Sequence, residues 1–249
     1  MSQTVTTAEE PLPDDEKLHP TFKAVILLSG GMDSATLLYE FKSKGYECQA
    51  LGIDYGQRHA KELGAASLIA DAAGVPFQVI SLAGVHSGIL RHANSSQTNK
   101  DVPVPHGHYA SANMKKTVVP NRNMMMLSVA CCLAIKEGAG VVGYAAHAGD
   151  HTIHPDCRPE FITAMKDAFQ ECDWHPVRLR TPFAKIYKHD IALIGHALNV
   201  PFDLTWSCYD NKHRIHCGEC GTCVERKEAC RYANLIDPTE YVVETGAKR

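Results

Sequence analysis

The sequence predicts an α/β fold: an open, mainly parallel sheet with helices on both faces and a small four-cysteine knuckle at the carboxyl-terminal end. Apolar strand-like runs alternate with helical patterns over most of the chain. The run Ser29-Gly30-Gly31-Met32-Asp33-Ser34 follows the first apolar run directly. Cys208, Cys217, Cys220 and Cys223 stand at C-x8-C-x2-C-x2-C spacing.

The first strand is Ala24-Val25-Ile26-Leu27-Leu28, and a helix is expected from the loop to about Lys44, closed by Gly45. Leu51 to Tyr55 reads as a second strand, followed by an alanine- and leucine-rich helix that Gly74-Val75-Pro76 ends. Phe77 to Leu82 alternates as a third strand. From about Gly84 to Pro120 periodicity is lost, as in a lid, a binding loop or a disordered stretch. His86, His92, His106 and His108 in it are read as surface histidines. Val118 to Asn123 then leads into a helix carrying three consecutive methionines, read as core filler.

Val141 to Ala146 gives a fourth strand, and Pro159-Glu160 opens a helix running to about Cys172. Val177 to Pro182 is a fifth strand, and Lys188 to about Leu198 is read as the last helix. Residues 1–20 and 236–249 are expected as tails, 21–203 as the α/β domain, and 204–235 as the metal-binding segment.

With 249 residues, 45% hydrophobic content and a formal net charge of −3, the chain is long enough for a real core and has no overall basic character for wrapping nucleic acid. No apolar run approaches the roughly 18 residues that span a bilayer, and a secretory signal pattern is missing. A soluble, cytoplasmic protein is expected. In a reducing compartment, ten cysteines with four clustered in one short stretch favour metal over disulfides.

A strand that turns through two glycines into a helix leaves unpaired amides at the helix start. Those amides, the helix dipole and the Ser29 and Ser34 hydroxyls suit a phosphate. The run is neither a Walker loop nor a G-x-G-x-x-G turn, so phosphate charge must be met by Mg²⁺ and by basic residues from elsewhere. A bare βα turn is the alternative. In an open parallel sheet the ligand lies beyond the strands' carboxyl ends, where Ser29, Asp54, the loop after Ala146 and Thr181 all fall. Four thiolates at the knuckle spacing suit one structural Zn²⁺ per chain, closed to water and substrate; two disulfides or a redox pair are the alternatives. Cys157 in the expected cleft is left open as a nucleophile.

Several stretches together resemble the QueC family of 7-cyano-7-deazaguanine synthases, within the ATP pyrophosphatases of Rossmann-like fold. They are Leu28 to Leu38, Asp54 to His59, Val119-Pro120-Asn121-Arg122-Asn123, Pro155-Asp156-Cys157-Arg158-Pro159-Glu160-Phe161, Thr181-Pro182 with Lys188, and Trp206-Ser207-Cys208-Tyr209 with the three later cysteines. This chain has His151-Thr152-Ile153-His154 where many members have Phe-Ser-Gly-Tyr, and Asn121 where many have glycine. The resemblance implies conversion of 7-carboxy-7-deazaguanine and ammonia to the nitrile with two ATP, without direct nucleic-acid contact, by a homodimer. ATP would lie along Leu28, Ser29, Gly30, Gly31, Met32, Asp33, Ser34, Ala35, Thr36, Leu37 and Leu38, with Asp54 near adenosine. Ser29, Asp33, Ser34, Lys188 and Arg122 would carry catalysis, and Arg58, Asp150, Asp156 and Arg158 would face the deazapurine.

Three rivals are a variant that stops at the amide, another ATP pyrophosphatase acting on tRNA, and a zinc-stabilised module that binds RNA or nucleotide without chemistry. A tRNA thiolase needs cysteines that carry persulfide, and the adjacent pair Cys131 and Cys132 falls inside an apolar helix.

Overall fold

The computed structural model describes residues 22–58, 61–210 and 214–242. Five strands, β1 (Lys23–Leu27), β2 (Glu47–Asp54), β3 (Phe77–Ser81), β4 (Val141–Gly143) and β5 (Arg178–Arg180), form one sheet in the order β3-β2-β1-β4-β5. All four pairings are parallel. Helices α1 (Met32–Ser43), α2 (Lys61–Ala73), α3 (Ala83–Gly88), α4 (Arg122–Glu137), α5 (Pro159–Glu171), α6 (Lys188–Ala197) and α7 (Gly221–Tyr232) make up the rest of the regular structure, with short 3-10 turns between them. None is long and apolar enough to cross a membrane.

Strand alternation divides the core in two. Ala24, Ile26 and Leu28 point to one face, packed by α1, α2 and α6 through Leu37, Leu38, Ile69 and Ile191, with Phe202 from the 3-10 turn after α6. Val25 and Leu27 point to the other, packed by α4 and α5 through Leu127, Leu133, Ile162 and Phe169. Because β1 is central it must be apolar on both sides, which is why its sequence is a continuous run. A side chain such as fully buried Ile26 contributes about 1.5–3 kcal/mol by leaving water.

Two expectations are corrected. Lys188 to Leu198 is not the last helix, because α7 follows the knuckle. The face α7 buries includes Cys223, Arg226, Ala229 and Cys230, which give no ordinary apolar stripe to read. Residues 236–242 are not a free tail: Val242 donates to the His216 carbonyl, Asp237 pairs with Arg226, and Tyr241 packs on His216. The expected tail at 1–20 lies outside the described residues.

The stretch without periodicity is held by polar bonds. Thr98 donates to the Leu90 carbonyl at 2.8 Å, Ser96 N–H to Lys116 at 2.7 Å, and the Arg58 guanidinium to Asn99 and Val102 at 2.6 and 3.0 Å. Further on it docks on the knuckle, with Gly107 N–H donating to the Glu219 carbonyl at 3.0 Å. Backbone-directed bonds of this kind leave no hydrophobic period in the sequence.

Gly30 has φ +86°, and a Cβ there would lie 2.1 Å from the Glu62 carbonyl oxygen on α2. Gly30→Ala is therefore expected to destabilise the fold by at least about 2 kcal/mol in denaturant melts. Gly64→Ala, on α2 with open space around it, should instead gain about 0.5–1 kcal/mol.

Candidate active site

In the strand order β3-β2-β1-β4-β5 the connections run outward in opposite directions from β1 and β4, which leaves a crevice beyond their carboxyl ends. A cleft of about 1170 Å³, including its open mouth, lies there. The loop after β1, the turns after β4, the amino-terminal ends of α1, α4 and α6, and one side of α7 converge on it.

At one end the Ser29 and Ser34 hydroxyls lie 3.0 Å apart, Ser29 N–H donates to Ser34 Oγ at 3.2 Å, and Ser34 donates to the Gly31 carbonyl. Gly31 precedes α1 without a side-chain cap, so the first amides of the helix stay open to an anion. Lys188, the first residue of α6, bridges Asp33 Oδ2 at 2.8 Å and Glu225 Oε2 at 3.0 Å. Burial opposes the lysine's charge, but the two carboxylates outweigh it and hold its pKa above the ordinary lysine value. Glu225 is pushed up by burial, only partly offset by Lys188 and His147.

His147 is buried behind these groups; its Nδ1 accepts the Gly149 N–H at 3.1 Å, and its Nε2 faces Asp33, Asp150 and Glu225 at 3.6 to 3.8 Å. Asp150 accepts the Tyr109 hydroxyl at 3.0 Å and the His147 N–H at 3.2 Å. Burial works against its charge, yet His147 and Lys188 outweigh it and keep Asp150 below the usual carboxylate range. Arg122 also lines the cleft and stays charged despite burial, because Tyr55, Tyr209 and Asp156 surround it.

Of the expected site residues, the structure gathers Leu28, Ser29, Gly31, Met32, Asp33, Ser34, Arg122, Asp150 and Lys188 around one cleft. Gly30 supports the loop from behind, and Ala35, Thr36, Leu37 and Leu38 are buried at 0% exposure in the core under α1, away from the cleft wall. Asp54 is turned to the Gly56 N–H at 3.0 Å, and Asp156 to the Asn123 N–H at 3.1 Å at the start of α4; neither lines the cleft. Arg58 is engaged with the Asn99 and Val102 carbonyls, and exposed Arg158 donates to the His151 carbonyl at 2.9 Å. Both guanidiniums satisfy backbone oxygens, and neither lines the cleft.

Four polar or aromatic residues are among those cleft residues that carried no assigned role in the sequence. Glu225 lies on α7, a helix the sequence reading did not place, and meets Lys188 only through the tertiary fold. Tyr109 comes from the stretch without period and gave no signal, and Trp206 and Tyr209 stood in a motif but without a task. The methionines are not all core: Met124 is 45% exposed and Met126 lines the cleft. The Cys157 thiol is pushed up by burial and by Asp150, and is held by Asn123 and Tyr144, which does not suit a nucleophile. Cys131 and Cys132 do not line the cleft, and Cys131 Sγ lies 3.5 Å from that of Cys172.

Beside the cleft, the sulfurs of Cys208, Cys217, Cys220 and Cys223 all lie within 4.8 Å of one another and are buried. Backbone N–H groups of Cys217, Glu219 and Cys220 point at the sulfurs of Cys208 and Cys217 at 3.3 to 3.4 Å, an environment that favours thiolate. Neighbouring thiols lower Cys217 to about 6. The donor set fits a tetrahedral metal such as zinc. Trp206 N–H donates to the Gly30 carbonyl at 2.8 Å, tying the knuckle to the phosphate loop.

Asp33 Oδ1 is buried without a hydrogen-bond partner in the described residues, and Asp33, Glu62, Asp150 and Glu225 outnumber Lys188 and Arg122 along the cleft. A triphosphate would meet too little positive charge there, so the residues fit a divalent cation at Asp33.

A sequence model described as queuosine biosynthesis protein QueC matches residues 23–234. A 7-cyano-7-deazaguanine synthase of Methanoregula boonei is 50% identical over 219 residues, covering 88% of this chain and 99% of that protein. One from Caldicellulosiruptor bescii is 46% identical over 222 residues, covering 89% and 98%. Among solved structures, an NH3-dependent NAD synthetase from Campylobacter jejuni aligns with a TM-score of 0.47 at 14% identity, over 76% of this chain and 69% of its own.

Burial lowers His154 to about 4 from an unfolded value near 6.5, so the unfolded chain binds the extra proton between those values. The stability this neutral histidine contributes is complete above about pH 6.5 and is lost as pH falls toward 4, by up to about 3 kcal/mol. Urea melts across pH 7.5 to 4.5 should show that loss, and His154→Asn should flatten it.

Proposed function

The chain belongs to the QueC family of queuosine biosynthesis proteins, and from that premise we propose that it converts 7-carboxy-7-deazaguanine and ammonia to 7-cyano-7-deazaguanine at the expense of two ATP. It is an enzyme that forms carbon–nitrogen bonds. The observation that carries the ATP-dependent reading is the meeting of the open α1 amides, the paired Ser29 and Ser34, and Lys188 in one cleft that Asp150 and Arg122 also line.

A carboxylate oxygen is a poor leaving group until it is phosphorylated. In the first round the substrate carboxylate attacks the α-phosphorus of ATP, the bond to the β-phosphate oxygen breaks, and pyrophosphate leaves. Ammonia then adds to the acyl carbon, AMP departs with the oxygen, and one proton is released, giving the amide. In the second round the amide oxygen attacks a second α-phosphorus. Loss of pyrophosphate, of AMP and of the two nitrogen-bound protons leaves the nitrile. Both rounds build charge on pyrophosphate, which the Ser29–Ser34 loop, the α1 amides and Lys188 are placed to stabilise. Mg²⁺ bound at Asp33 would supply further charge neutralisation there.

Arg122, in the place Arg158 was expected to take, faces the substrate carboxylate and the α-phosphate that replaces it. Asp150, ionised and oriented by Tyr109, accepts from the N–H groups of a guanine-type ring. A zinc ion in the knuckle would be structural, since four thiolates fill its coordination. The homodimer and the cytoplasmic location implied by the family belong to the same proposal.

Mass spectrometry of a reaction containing the acid, ammonium, Mg²⁺ and ATP is expected to show nitrile with two AMP per molecule. Amide with one AMP would make the enzyme a single-round ligase, and no AMP at all would overturn the reading. Asp33→Ala should abolish AMP formation with the fold retained by circular dichroism, and Lys188→Met should lower kcat about 10²-fold or more. Cys220→Ser should lose zinc, by metal analysis, together with thermal stability.

A further inference from the structure

His147 is buried at 1% exposure, does not line the cleft, and stands where three carboxylates from three separate elements converge. Asp33 comes from α1 in the phosphate loop, Asp150 from the turn after β4, and Glu225 from α7 behind the knuckle. The Gly149 N–H donates to Nδ1 at 3.1 Å, so Nδ1 is the acceptor and Nε2 is the ring's donor. That one donor faces Asp33 Oδ2 at 3.8 Å, Asp150 Oδ1 at 3.6 Å and Glu225 Oε1 at 3.8 Å.

These separations are too long for a hydrogen bond, yet a movement of about 1 Å would close any one of them. The acceptors therefore compete for a single N–H. Asp33 belongs to the loop that would hold ATP and Asp150 is the carboxylate read as facing the acid substrate, while Glu225 shares Lys188 with Asp33. We infer that His147 is a positioning residue that couples the two ligands: when ATP engages Asp33, the Nε2–H is free to hydrogen-bond to Asp150 and orients that carboxylate for the acid substrate. This rests on the assignment of ATP and the acid to one cleft.

The two ring nitrogens have separable roles, which gives the test. Asn at 147 places an acceptor near the Nδ1 position, preserving the bond from Gly149, and lacks the Nε2 donor. Gln places a donor near Nε2 and lacks the acceptor. The affinity of 7-carboxy-7-deazaguanine would be measured by calorimetry with and without α,β-methylene-ATP and Mg²⁺, alongside a melting curve.

In the unaltered enzyme the nucleotide analogue is expected to tighten acid binding about five-fold or more. His147→Asn should melt near the parent temperature with that ratio reduced to about one. His147→Gln should melt lower and keep most of the ratio. An unchanged ratio in His147→Asn, a ratio of one in the unaltered enzyme, or loss of coupling only in step with melting temperature would overturn the inference. Failure of the unaltered enzyme to bind the acid or the analogue at all would fall instead on the functional reading and remove the basis of this one.

Discussion

The Lys188 ammonium between Asp33 and Glu225 is the contact on which the site depends. It joins residues 155 and 37 positions apart in sequence, from α6, α1 and α7. Taking a lysine out of water is costly, and one carboxylate with imperfect geometry does not recover that cost. Two carboxylates at 2.8 and 3.0 Å do, and the lysine stays charged where a phosphate would need it. Removing either acid would leave the other drawn wholly onto Lys188, so the phosphate loop and α7 are electrostatically one unit.

That unit explains what a closed metal knuckle does in a catalytic domain. Cys220 and Cys223 set the start of α7, and Glu225 follows within the same turn. Arg226, fully buried, binds Thr205, Ser207, the Phe202 carbonyl and Asp237, fixing the segment that leads from the sheet into the knuckle. Trp206 closes the circuit at the Gly30 carbonyl. A metal held by the four thiolates would act on the cleft through position alone, by holding an acid and an aromatic side chain against the Ser29–Ser34 loop.

The parallel sheet supplies the frame. Because β1 and β4 are neighbours whose onward connections diverge, the chain cannot fill the crevice between their carboxyl ends with its own backbone. The turns after β4 then carry His147 and Asp150 toward Asp33 without a long excursion.

Much of this was legible in the residues. β1 is apolar on both faces and so reads as a central strand, the Ser29 to Ser34 loop marks its own turn, and the spacing of the four cysteines specifies their meeting. Those are local properties, fixed by residues within a few positions of each other. Glu225, His147 and Tyr109, by contrast, owe their places to contacts across the chain, and nothing adjacent to them in sequence distinguishes them from surface polar groups. Arg58 and Arg158 show the converse, because motif position suggested ligands while nearby carbonyls claimed both guanidiniums. The sequence by itself determined the strands, the phosphate loop and the knuckle, since periodicity, glycine geometry and ligand spacing are short-range. Only the tertiary structure decided which charges face the cleft, because a buried ion is fixed by whichever distant partners recover its desolvation cost.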